Sequence, residues 1–199
     1  MKPSDIGEAY DQITGIWESD NFNRKNGIEQ HKKAIAFVKK RGKALDVGCG
    51  CTGRLIDLLV DSGFVPEGVD VSTKMLALAK ERHPDIHFHQ QDICTWEIPD
   101  KYDFITAWDS IWHIPLDQQR KVITKLVSSL ENNGVLIFSF GGTDEEGDQI
   151  DNAMGPDMYY STLGVSGILK LFIELGCTCR HLEYDQYPEV HTYLIVQKA

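Results

Sequence analysis

Between Ala44 and Phe140, short apolar runs alternate with segments whose apolar residues recur every three or four positions. Ala44–Val47, Val65–Val69, Ile86–His89, Asp103–Ala107 and Val135–Phe140 are predicted strands. The segments between them carry helix patterns. Arg54–Ser62 gathers Leu55, Leu58 and Leu59 on one side and stops at Gly63. Ser72 caps a helix through Glu81 that carries Met75, Leu76 and Ala79. Leu116–Leu130 is a third helix, with Asn133-Gly134 as its stop. This strand–helix rhythm predicts a parallel sheet covered by helices on both faces.

The two ends differ from the middle. Ser4–Trp17 is a predicted helix with Tyr10, Ile13 and Trp17 near one face, and Ile28–Lys40 is a second, so residues 1–41 form a helical cover. Gly141–Tyr160 is polar and shows neither strand nor helix pattern, which makes residues 141–160 a candidate lid loop. A helix from Ser161 or Thr162 to Leu175 follows, and then two strands, Cys177–Tyr184 and His191–Gln197, separated by Tyr187-Pro188. Strands joined so closely pair antiparallel. The length of 199 residues predicts one domain.

The net charge of −10 repels phosphate backbones, so no nucleic-acid partner is expected. The only basic clusters, Lys32-Lys33 and Lys39-Lys40-Arg41, fall on one early helix and read as a solvated face. No apolar run is long enough to span a membrane, and Met1–Asp5 lacks a signal core. The five cysteines lack zinc-site spacing, so no metal is expected and reduced cytoplasmic thiols are the natural reading. His31 and His191 are taken as surface residues.

The chemistry concentrates where the first strand enters Gly48-Cys49-Gly50-Cys51-Thr52-Gly53 and a helix opens at Arg54. Glycines there let a ligand lie against the backbone, and a helix N-terminus favours an anionic group. The spacing fits a dinucleotide such as NAD, with Asp70 for its ribose, and it equally fits another adenosine cofactor. The closing hairpin and a second strand-end carboxylate, Asp92, speak against the dinucleotide arrangement.

Five segments in order resemble the class I S-adenosylmethionine-dependent methyltransferases: Leu45-Asp46-Val47-Gly48-Cys49-Gly50, Gly68-Val69-Asp70-Val71-Ser72, Gln91-Asp92-Ile93, Tyr102 through His113, and Leu130 through Phe138. The resemblance covers roughly Lys43 to Lys198. It implies an α/β, Rossmann-like three-layer sandwich whose seven-stranded sheet is mostly parallel with an antiparallel last strand. It implies S-adenosyl-L-methionine as cofactor and methyl transfer by in-line displacement. Gly48, Cys49 and Gly50 would then lie along the cofactor, with the methionyl carboxylate near the helix that starts at Gly53. Asp70 would hold the ribose, Asp92 the adenine amino group and the Ile93 N–H a ring nitrogen. Val71, Met75 and Cys94 would wall the adenine. Asp46 would either brace the turn or meet the cofactor ammonium. One departure is visible: two residues, Cys51 and Thr52, stand between the second and third glycines where the family usually has one.

Residues after the fourth strand should face the methyl group. Trp108 is assigned to the cofactor, His113 and Asp109 to catalysis, and Trp112 to the acceptor. His113 is the candidate base, set against a purely structural bond to a backbone carbonyl. Tyr10, Tyr159 and Tyr160 are expected at the acceptor. No Asn/Asp-Pro-Pro-Tyr, no Pro-Cys and no second Asp-Asn pair occurs in this region, which leaves a small-molecule acceptor. A non-catalytic cofactor-binding protein and an NAD-dependent oxidoreductase are the competing readings.

Overall fold

The computed structural model describes residues 1–199. Five strands, β1 (Lys43–Val47), β2 (Val65–Asp70), β3 (His87–Gln90), β4 (Tyr102–Ala107) and β5 (Leu130–Gly141), run parallel. Helices α3 (Arg54–Asp61), α4 (Thr73–Arg82) and α5 (Leu116–Ser128) make three of the four crossovers between these strands, while β3 passes to β4 through a loop. After two short strands, β6 (Gly147–Asp151) and β7 (Met158–Thr162), and helix α6 (Gly164–Glu174), the chain closes with β8 (Cys177–Glu183) and β9 (His191–Lys198). The sheet order is β3-β2-β1-β4-β5-β9-β8, and β9 lies antiparallel to both neighbours. The last strand is therefore inserted against the grain of the sheet, as expected.

The central strands are buried on both faces, which is why they read as continuous apolar runs. On one face Leu45, Ile105, Leu136 and Leu194 pack under α5 and α6; on the other, Phe104, Ile137 and Ile195 pack under α3 and α2 (Ile28–Ile35). Helix α1 (Pro3–Glu18) crosses the ends of the strands and packs Ile6 and Ala9 on Met158 and Tyr159 of β7.

Two expectations need correction. The second helix stops at Ile35 rather than Lys40: the Phe37 and Val38 N–H groups donate to the carbonyls three positions back, and the Arg41 guanidinium donates to the Ile35 carbonyl at 2.8 Å. The segment from 141 to 160 is not a structureless loop but carries the β6–β7 hairpin. Strand β6, Gly-Asp-Gln-Ile-Asp, is almost wholly polar and exposed, so it shows no apolar alternation for a sequence pattern to catch.

Candidate active site

The glycine turn after β1 uses its three left-handed positions differently. Gly48 has φ +72°, and a Cβ there would overlap the Ser110 side chain. At Gly53, φ +69°, a Cβ would overlap the His83 ring. Gly50, φ +57°, has nothing from the chain within 4 Å of its Cβ position. The first and third glycines admit neighbours, and the second faces open space.

Asp70, at the tip of β2, ties this turn to α4. Its Oδ2 accepts the Gly50 N–H at 2.9 Å and its Oδ1 the Ser72 N–H at 2.9 Å. Burial raises its carboxyl above the usual range, while those amides favour the anion. Each oxygen keeps a lone pair for a further donor.

A cavity of about 350 Å³ opens at the C-terminal ends of the strands, under α1. One wall is Gly48, Cys49 and Gly50 with Asp70, Val71 and Met75; Asp92 and Ile93 continue it. The Asp92 carboxylate is oriented by the Cys94 N–H at 2.8 Å. Trp108, Asp109, Trp112 and His113 form the facing wall, and Tyr10 and Tyr160 close over it. The indole N–H groups of Trp108 and Trp112 are buried without a partner.

Three residues assigned to this site lie off its surface. Asp46 is buried on β1 between Gly68 and Thr106 of the flanking strands. Burial first, and the Asp70 charge after it, push its carboxyl up to about 7 against the pull of Arg54. Tyr159 turns its ring toward Ile6 and Ala9, and its hydroxyl accepts the Leu116 N–H at 3.2 Å. Cys94 is packed in the main core instead of walling the cavity.

Tyr159 reaches the site through its carbonyl, which accepts the His113 Nδ1–H at 2.7 Å. That bond fixes the tautomer, so Nε2 is the acceptor for the Tyr10 hydroxyl at 2.8 Å. Burial lowers the His113 imidazole to about 4, and burial raises the Tyr10 phenol far above its ordinary value. The pair is neutral. The structural bond to a backbone carbonyl and a cavity-facing nitrogen therefore belong to one ring, each on its own side.

Asp109 has φ +53°, a left-handed conformation rare outside glycine. Its backbone N–H donates to Ser139 Oγ at 2.7 Å. Its Oδ2 accepts from Asn26 at 3.0 Å, and its Oδ1 accepts from Ser139 Oγ at 3.1 Å and from His191 Nε2 at 2.9 Å. His191 also donates Nδ1–H to Asp185 at 2.5 Å. It lines the cavity and is no surface residue; His31, likewise, is fully buried beneath Trp108.

Sequence reasoning missed His191, Asn26, Phe22, Gln186 and Arg54 on the cavity wall, whereas Trp17 lines it on the covering helix as expected. Most come from turns and the chain ends, where no periodicity points inward. Arg54 alone carried a signal, its place directly after Gly53.

The family described as "Methyltransferase domain" matches residues 44–134. The phosphoethanolamine N-methyltransferase of Plasmodium falciparum is 28% identical over 146 residues, 70% of this chain and 53% of that protein, so the chain spans about half of that relative. A methyltransferase of Alkaliphilus oremlandii without an assigned substrate is 22% identical over 92% of this chain and 94% of its own. Among solved structures, the magnesium protoporphyrin IX methyltransferase of Synechocystis with bound S-adenosylhomocysteine superposes with TM-score 0.73 at 20% identity, covering 100% of both chains.

Proposed function

We propose that this chain, a member of the class I S-adenosylmethionine-dependent methyltransferases, transfers a methyl group from S-adenosylmethionine to a small-molecule amine. The observation that carries the reading is Asp70 at a strand tip, bonded to the N–H of Gly50, the one glycine of the turn whose missing side chain leaves open space. That cradle fits a nucleoside: Asp70 has lone pairs left for ribose hydroxyls, and Asp92 has one oxygen free of the Cys94 amide for an adenine amino group. Gly48, Cys49, Val71, Met75, Ile93 and Trp108 complete the surface against which it would lie. Asp46 acts from behind as a brace.

When bound, the cofactor supplies a methyl group on a sulfonium that leaves as a neutral thioether. The chain's part is to place the acceptor nitrogen in line and to exclude water. The Tyr10 hydroxyl, its own proton committed to His113, presents its oxygen to an acceptor N–H. A neutral imidazole near 4 is a weak base at neutral pH, so His113 orients Tyr10 and takes a proton only through it. The Asp109 carboxylate, with the Trp112 and Tyr160 rings, would stabilise positive charge on an acceptor nitrogen. The nitrogen acceptor is supported by the Plasmodium relative, a phosphoethanolamine N-methyltransferase. Helix α1 and the β6–β7 hairpin serve as cover. No helix is long and apolar enough to cross a membrane, and five free thiols suit the reducing cytoplasm, where we place the protein.

Calorimetry with S-adenosylhomocysteine and with NADH tests the reading. S-adenosylhomocysteine should bind and NADH should not; binding of NADH alone overturns it. Mass spectrometry of small amines incubated with chain and cofactor should then show a methylated product.

A further inference from the structure

We propose that Arg54 holds the carboxylate at the amino-acid end of the cofactor, an assignment that rests on the cofactor reading above. The carboxylate and guanidinium side chains on the cavity wall are Asp70, Asp92, Asp109 and Arg54. S-adenosylmethionine brings two cations, a sulfonium and an ammonium, and one carboxylate. The three wall carboxylates suit its cations and hydroxyls and repel its anion. His191 offers no alternative, because its two ring N–H groups are taken by Asp109 and Asp185.

Arg54 has donors to give. Its Nε–H goes to the Asn26 carbonyl at 3.0 Å and Nη1 to the Thr52 hydroxyl at 2.9 Å, while Nη2 donates to nothing in the chain. No carboxylate lies within ion-pair distance of it. Burial pulls the guanidinium below its ordinary pKa, and the fields of Asp109 and Asp46 only partly oppose that. A desolvated cation without a counter-ion is unfavourable, and an arriving carboxylate relieves it.

The N-terminus of α3 is set back from this role. Gly53, which precedes α3, is covered by the His83 ring and does not line the cavity. With two residues between the second and third glycines, Cys51 and Thr52 line the cavity and the first side chain of the helix reaches it in place of the helix N–H groups.

Calorimetry with two ligands tests the assignment. S-adenosylhomocysteine carries the carboxylate; 5′-methylthioadenosine shares its nucleoside and sulfur but lacks the amino-acid end. Arg54→Met should weaken S-adenosylhomocysteine at least about tenfold, as expected for a charge-assisted bond lost. It should leave 5′-methylthioadenosine within about twofold, which also reports that the pocket is folded. Arg54→Lys should recover part of the loss. Unchanged S-adenosylhomocysteine binding overturns the proposal and hands Arg54 to an anionic group of the acceptor. Equal weakening of both ligands also overturns it, because the guanidinium would then serve only to shape the turn. If the native chain binds neither ligand, the cofactor reading itself fails and takes this one with it.

Discussion

The Tyr10 hydroxyl sits 2.8 Å from His113 Nε2, although 103 positions separate the two residues in the chain. The bond brings the N-terminal helix onto the loop that follows β4. Tyr10→Phe removes the hydroxyl and keeps the ring that packs edge-on against the imidazole at 5.5 Å. The variant should bind S-adenosylhomocysteine like the native chain and lose at least about tenfold in kcat on a methylated amine. Steady-state kinetics beside calorimetry checks it, and an unaltered kcat would remove the phenol from the chemistry.

His31 gives an acid-stability test away from the cavity wall. Its Nδ1–H donates to the Gly27 carbonyl at 2.6 Å and its Nε2 accepts from Thr106 at 2.7 Å. Burial lowers it from 6.5 to about 4. Between those values the unfolded chain binds a proton that the folded chain refuses, so stability falls as pH falls through that window. His31→Gln, which can keep both bonds, should reduce the acid loss by about 1.4 kcal/mol per pH unit. Denaturant unfolding at several pH values from neutral to acid measures it.

His191 has the opposite sign. Burial pushes its pKa down, but Asp109 and then Asp185 outweigh burial and leave it raised. Its ion pairs contribute stability that is present below the ordinary histidine value and lost as pH rises through the folded one. Asp185→Asn should move the His191 imidazole resonances to a lower titration midpoint and lower the melting temperature more in mild acid than in mild base. Histidine-labelled NMR reads the first, and thermal melts the second.

The turn glycines separate folding from binding. Gly48→Ala places a methyl into Ser110 at φ +72°, so it should destabilise the chain by several kcal/mol, about 3 at the overpacking scale. Gly50→Ala meets no neighbour and should cost about 1 kcal/mol for its left-handed backbone, yet should abolish S-adenosylhomocysteine binding. Melting curves and calorimetry on both variants decide it. Tight binding by Gly50→Ala would mean that the ligand lies elsewhere.

What the sequence revealed follows the physics that generated each signal. Strands buried on both faces read as apolar runs, so β1, β4 and the second half of β5 were legible, and the antiparallel pairing of β8 with β9 followed from their short connection. The carboxylates at strand ends, Asp70 and Asp92, were legible because a position at the end of an apolar run is itself a pattern. Strand β6 was not, because an exposed hairpin arm buries nothing. His191 and Asn26 were not, because tertiary contacts across 82 and 83 positions bring them to Asp109 and no local spacing encodes that. Tyr159 and Tyr160 were assigned together, but adjacent strand residues point to opposite faces, so only one of them could face the cavity.

Helix α1 closes the cavity with Pro3, Ile6, Tyr10 and Trp17, and it is latched to the start of α4 by Asp11, which takes the Ser72 hydroxyl at 2.5 Å and the Lys74 N–H at 2.9 Å. The door and the phenol are thus carried on one piece of chain. On the proposed function, release of spent nucleoside past this helix would carry Tyr10 away and leave the imidazole without its partner. An opened molecule would then be a disarmed one, and a reactive sulfonium would meet the complete constellation only after bulk water had been shut out.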